Sequence, residues 1–237
     1  MKTLQGKKAL VLGGSRGIGA AIVKRLAQEG AEVVFTYQSS ADAANKLAAE
    51  VKGKAIRADS ANRKEVSSVI AAQGSLDILV ISAGIVVMGD PLAIDPAQID
   101  RMIDINVRGP YHAAVDGARL MKNGGRIVVI GSVNGDRMPF PGAAAYALSK
   151  SAIQGMVRGL ARDFGPRGIT VNDVQPGPVA TQMNPEDGPM AGMMHSQMAI
   201  KRHIQPDEIA GLVAYLVGPE ATMVTGAQHT IDGGFGA

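Results

Sequence analysis

Lys8-Ala9-Leu10-Val11-Leu12-Gly13-Gly14-Ser15-Arg16-Gly17-Ile18-Gly19 is the stretch on which the fold is decided. Lys8–Gly13 is a short apolar run entering a glycine cluster, the pattern of a buried strand. Beyond it, Ile18, Ile22, Val23 and Leu26 recur at helical spacing, and Gly30 stands where that helix would stop. A strand, a glycine loop and a helix in this order can hold a phosphate. Glycine lets backbone come close, and the helix N-terminus offers free N–H groups and a positive dipole end. Glycines also mark ordinary turns, so the loop gains its meaning from what surrounds it.

The same alternation continues outward. Ala31–Tyr37 reads as a strand, Ala41–Lys52 as a helix and Lys54–Ala58 as a short strand. Asn62–Ala72 is a short helix and Leu76–Ser82 a fourth strand. Pro96–Lys122 reads as one long helix bent near Gly109-Pro110, because proline removes a helical hydrogen bond. After an Asn123-Gly124-Gly125 turn come a strand at Arg126–Ile130, a helix at Ala144–Phe164, and a strand at Ile169–Val174. Gln182–His203 reads as a loop or lid, Pro206–Val217 as a helix and Gln228–Ile231 as a last strand. Strands alternating with helices predict an α/β fold, a doubly wound parallel sheet with helices on both faces, in one domain over 1–237.

Composition narrows the function. The chain has 237 residues, 46% apolar and 19% charged, which suits a globular domain. It has no cysteine, so thiolate catalysis, disulfides and zinc-thiolate sites are excluded. The four histidines are scattered at 112, 195, 203 and 229, with no metal spacing. Net charge is only +3 and aromatics make up 3%, which argues against a nucleic-acid partner. No apolar run approaches a membrane span or a signal peptide, so a cytoplasmic protein is expected.

Tyr146-Ala147-Leu148-Ser149-Lys150 carries the chemistry. In a helix Tyr146 and Lys150 share one face, about 6 Å apart along the axis. A phenol alone titrates near pH ~10, and a nearby ammonium favours its anionic form. Such a pair can exchange a proton with an alcohol oxygen. Taken alone, the pentapeptide also reads as an ordinary amphipathic helix.

Together, the Gly-x-x-x-Gly-x-Gly loop at 13–19 and Tyr146-x-x-x-Lys150 resemble the short-chain dehydrogenase/reductase family, over the whole chain and in the family's order. The resemblance implies a Rossmann-like sheet of about seven strands in the order 3-2-1-4-5-6-7. It implies that Tyr146 is the acid-base group and that Lys150 tunes it and holds the nicotinamide ribose. Ser132 would bind the substrate oxygen, and Asn106 would hold a water that links Lys150 to solvent. For the cofactor it implies Gly13, Ser15, Arg16, Gly17, Ile18 and Gly19 in the loop, and Tyr37 and Ser39 at the end of the second strand. It adds Asp59 and Ser60 at the adenine, Ser82-Ala83-Gly84 after the fourth strand, and Pro176, Gly177, Val179 and Thr181 after the sixth. There are departures. Leu12 stands where threonine is usual, and Ile81-Ser82 where two asparagines are usual, so the bracing of the cofactor loop is in question.

No acidic residue lies within Thr36-Tyr37-Gln38-Ser39-Ser40, where one would hold the ribose hydroxyls of NAD. Arg16, with Ser39 and Ser40, can meet a 2′-phosphate instead, or can be a solvated loop charge. The expected cofactor is NADP(H), with NAD(H) weaker, and the expected substrate a small carbonyl or alcohol. Met183, Met190, Met193, Met194 and Met198 crowd the lid, to shape an adaptable apolar pocket or to fill gaps in a core or subunit contact. The Ala144–Phe164 helix is apolar on several sides and should be buried on several sides, which predicts a homo-oligomer, dimer or tetramer. Gly131–Pro139, Gln175–Pro178 and Met198–His203 also resemble a bacterial family member described as binding cyclic di-GMP, which makes a second-messenger ligand the alternative.

Overall fold

The computed structural model describes residues 2–237. Seven strands form one sheet: β1 (Lys8–Leu12), β2 (Glu32–Tyr37), β3 (Lys54–Arg57), β4 (Leu76–Ile81), β5 (Met121–Ile130), β6 (Thr170–Pro176) and β7 (Gln228–Ile231). Their order is β3-β2-β1-β4-β5-β6-β7, and every pairing is parallel, as expected. Leu10, Val11, Leu79 and Val80 are fully buried because helices cover both faces, which is why these strands read as unbroken apolar runs. One face packs on α1 (Gly17–Gln28), α2 (Ala41–Val51) and α8 (Pro206–Val217). The other packs on α3 (Arg63–Ala71), α5 (Gly109–Leu120) and α6 (Ala144–Phe164). A parallel sheet brings all strand C-termini to one edge, and ligands bind in the crevice there, where the winding direction reverses beside β1.

Three local expectations change. The Pro96–Lys122 segment is one continuous helical run, but it carries a π turn and stops two residues early. It is α4 (Pro96–Ile103), a π turn over Asp104–Arg108, and then α5, which ends at Leu120. Gly109 N–H reaches back five residues to the Asp104 carbonyl, and Pro110, which follows, has no N–H to restore the regular pattern. The irregularity therefore lies just ahead of the proline. Asn123-Gly124-Gly125 falls within β5, as an irregularity between the Leu76 and Ile78 pairings, with Gly124 at φ +86°. The lid holds a short helix, α7 (Ala191–Ser196), and is anchored by bridges Val179↔Ile204 and Thr181↔Asn184. The inner side of α6 is buried through Ile153, Val157 and Leu160, but its outer side is open in the single chain, with Leu148 62% exposed.

Candidate active site

The strand C-termini open onto one cleft of about 580 Å³. Every residue expected to serve catalysis or the cofactor lines it except Asn106, which is buried behind. At one end, Gly13 lies against the backbone of Ala83, and a Cβ on it would come within 2.8 Å of Ala83 N and Cα. A Cβ on Gly19 would sit 2.1 Å from the Gly13 carbonyl oxygen. Only glycine allows the first turn of α1 to close onto the loop this tightly. Arg16 caps α1 in extended backbone without a side-chain cap bond, so the first N–H groups of the helix stay available to an anion. This cradle fits the phosphates of a dinucleotide, and Arg16 is exposed at its rim beside Ser39 and Ser40.

The loop is braced, although Leu12 supplies no hydroxyl. The brace comes from β2: Gly13 N–H donates to Thr36 Oγ1 at 2.9 Å and Gly14 N–H to the Thr36 carbonyl at 2.9 Å. Ser82 N–H donates to the Leu12 carbonyl at 2.9 Å and ties β4 to the same point. Thr36 is a functional residue that the sequence reading passed over. Its signal is a polar residue within an otherwise apolar strand, but its use depends on the β1–β2 register. The Asp59 carboxylate, assigned to adenine, already accepts from Arg101 at 3.1 Å and from Ala61 N–H at 3.0 Å.

At the other end, α6 brings Tyr146 and Lys150 to the cleft on one face, with the Lys150 ammonium 5.8 Å from the Tyr146 ring centre. Lys150 is 7% exposed, and its Nζ donates to the Ile130 carbonyl at 3.0 Å. An ammonium has three donors, so two remain. Ser132, at the end of β5, accepts the Asn134 N–H on Oγ at 3.1 Å, which leaves its own O–H free to donate. The Asn106 side chain is spent elsewhere. Oδ1 accepts from Ile85 N–H at 3.0 Å, and Nδ2 donates to the Ile85 carbonyl at 2.9 Å and to Ser149 Oγ at 3.1 Å. It clamps the segment after β4. A water role for Asn106 would have to fall to its carbonyl, which Pro110 cannot bond.

Asp173 of β6 was also not anticipated. It is fully buried on the α6 side of the sheet, and burial pushes its carboxyl up to about 7, against the pull of the Lys150 ammonium. The lid methionines divide. Met183 lines the cleft, whereas Met198 is buried with Val133 and Phe235. His195 is not isolated: its Nε2 lies 2.7 Å from Nδ1 of buried His203, which joins α7 to the strand-like segment before α8. Among the described residues no cluster of metal-binding side chains occurs, and no helix is long and apolar enough to cross a membrane.

A family model described as enoyl-(acyl carrier protein) reductase matches residues 13–236. The cyclic-di-GMP-binding biofilm dispersal mediator protein of Escherichia coli K12 is 62% identical, over 100% of both chains. The crystal structure of BdcA in complex with NADPH matches with a TM-score of 0.98 at 62% identity, over 99% of this chain and 96% of that one. A short chain dehydrogenase from Burkholderia cenocepacia J2315, in complex with NADP, matches with a TM-score of 0.97 at 47% identity, over 99% and 100%.

The brace can be tested directly. Thr36→Val keeps shape and burial but leaves the Gly13 N–H without its acceptor. An unsatisfied buried donor costs about 1–3 kcal/mol. Urea unfolding should show a loss in that range, and dinucleotide affinity should weaken with it.

Proposed function

The chain belongs to the short-chain dehydrogenase/reductase family, and from that premise we propose that it is an NADPH-preferring oxidoreductase that reduces ketone or aldehyde carbonyls to alcohols, reversibly. The observation that carries this reading is the convergence of Ser132, Tyr146 and Lys150 on the cleft that begins at the glycine loop. When bound, the nicotinamide supplies or accepts the hydride. The protein's part is the proton and the charge. The free Ser132 O–H donates to the substrate oxygen and steadies the negative charge that develops there. The Tyr146 hydroxyl gives its proton to that oxygen in reduction and takes one in oxidation. Lys150, fixed by Ile130, directs positive charge at the phenol and keeps two donors for a ribose. Met183 and the lid give the substrate side an adaptable apolar wall.

Two assignments are tested by substitution. Tyr146→Phe removes the proton carrier and keeps the ring. Across a panel of carbonyl substrates followed by NADPH absorbance, turnover should fall by ~10²–10⁴-fold, with NADPH still bound. Wild-type turnover in this variant would reject Tyr146.

Cofactor preference rests on Arg16. No carboxylate repels a 2′-phosphate between Thr36 and Ser40, and a charge-assisted contact contributes about 1.5–3 kcal/mol. That corresponds to a roughly ten- to hundredfold preference for NADPH over NADH. Arg16→Ala should raise the KM for NADPH and leave NADH kinetics nearly unchanged. An equal effect on both cofactors would mean that Arg16 serves the loop and not the phosphate.

A second reading, a cyclic-di-GMP-binding regulator, is favoured by the 62% identity to the Escherichia coli dispersal mediator, which is described as cyclic-di-GMP-binding. Titration of cyclic di-GMP against bound NADPH tests it, since a ligand of the same cleft would compete.

Assembly is proposed through the outer side of α6. A Cβ at Gly155 or Gly159 would meet nothing within 4 Å, so that side is flat and accessible. Light scattering should give a multiple of 24.5 kDa, and Gly155→Trp should shift it toward the monomer.

A further inference from the structure

Asp173 lies where the mechanism above has no use for it. In the sheet it is opposite Val129 of β5 and Gln228 of β7. Its carboxyl rests on the backbone of Gly131, so closely that a Cβ there would come 2.3 Å from Oδ1. Gly131 stands between two site residues. The Ile130 carbonyl holds the Lys150 ammonium, and Ser132 follows. The carboxyl therefore lies directly beneath the strand end that positions both groups. Neither of its oxygens has a hydrogen bond of good geometry: the Gly131 N–H, which is spent on the Val174 carbonyl, and the Gln175 side chain only lie close enough to ease its charge, and the Nε2 atoms of Gln175 and Gln228 on the same side of the sheet are also unpartnered. Buried polar groups are almost always satisfied, and an unsatisfied one calls for a reason. The ionisable groups that act on Asp173 are Lys150 of α6, which favours its charge, and Asp136 after the Val133–Gly135 turn, which opposes it. Asp136 is itself bonded to Gln154 of α6 at 2.7 Å.

We propose that Asp173 is a positioning residue whose buried carboxyl sets how strongly the Lys150 ammonium acts on Tyr146. This rests on the acid-base reading of Tyr146 and Lys150. A carboxylate formed beneath Lys150 offsets part of its positive field in a medium where charges are poorly screened. The phenol then keeps its proton to higher pH, which favours reduction. With Asp173 neutral, the full field of Lys150 reaches the phenol, and the proton is released earlier. Burial holds the Asp173 carboxyl at about 7, so this change of charge falls near neutrality.

Two measurements test it. The alkaline limb of kcat/KM for carbonyl reduction should move to lower pH by about half to one unit in Asp173→Asn, as expected for removal of one nearby charge at intermediate dielectric, with the KM for NADPH unchanged. A role confined to packing would lower stability or turnover and leave the limb in place, which overturns the proposal. Carbon-13 NMR of the wild-type Asp173 carboxyl needs neither a variant nor a substrate. A midpoint between pH 6 and 8 is expected, and an ordinary carboxylate midpoint near 4 overturns the proposal even if Asp173→Asn does not fold. Loss of catalysis in Tyr146→Phe and the NADPH assay test the acid-base reading separately, so failure of either idea can be told from failure of the other.

Discussion

The site depends on a steric constraint between two backbones. The first turn of α1 closes on the end of β1 with the Gly19 α-carbon facing the Gly13 carbonyl, and Gly13 in turn faces Ala83. Three elements, β1, α1 and β4, thus meet at one point with no side chain between them. Parallel pairing then fixes everything else at that edge. Once β1 and β4 are in register, β5 and β6 deliver Ser132 and Pro176 to the same level. The cleft is a geometric result of strand order and of two positions, Gly13 and Gly19, that have no room for a side chain.

At the far end the governing term is charge. Lys150 is nearly buried, and a buried ammonium is tolerated only when hydrogen-bonded. The Ile130 carbonyl meets that need and also fixes where the charge lies. Asp173 and the unpartnered Nε2 atoms of Gln175 and Gln228 add further buried polar groups to a face of the sheet that is otherwise apolar. Such a grouping is costly for stability, and active sites are where that cost is commonly met.

Much of this was readable from the chain. The alternation of strands and helices, the glycine loop and the Tyr146–Lys150 pair rest on local patterns, namely apolar runs, glycine spacing and helical periodicity, whereas the strand order followed from the family resemblance. What escaped depends on contacts between segments distant in sequence. Thr36 replaces the missing hydroxyl at Leu12 only because β2 lies beside β1. Asp173 reads as a stray polar residue until β5 and α6 are packed around it. His195 and His203 look solitary because the bend of the lid, and not helical spacing, brings them together. The irregularity near Gly109-Pro110 was foreseen, but its form as a π turn was not. Proline affects the hydrogen bonds of residues before it, and the helix adjusted with a wider turn ahead of the proline.

The lid is joined to the rest at its ends, through Met198 and through the Ile200 N–H to the Gly233 carbonyl, while Tyr146 and Lys150 stand on α6 and Ser132 just beyond β5. Under the proposed function, recognition of the substrate and execution of the chemistry fall to different stretches of chain that meet where Gln182, Met183 and Asn184 enter the cleft. Freedom to vary lies beyond Asn184, since Asn184 bonds Thr181, whose side chain faces Gly17 of the glycine loop. A protein built this way can exchange one substrate for another over generations while its reaction stays the same, and its catalytic residues alone carry little information about which molecule it now serves.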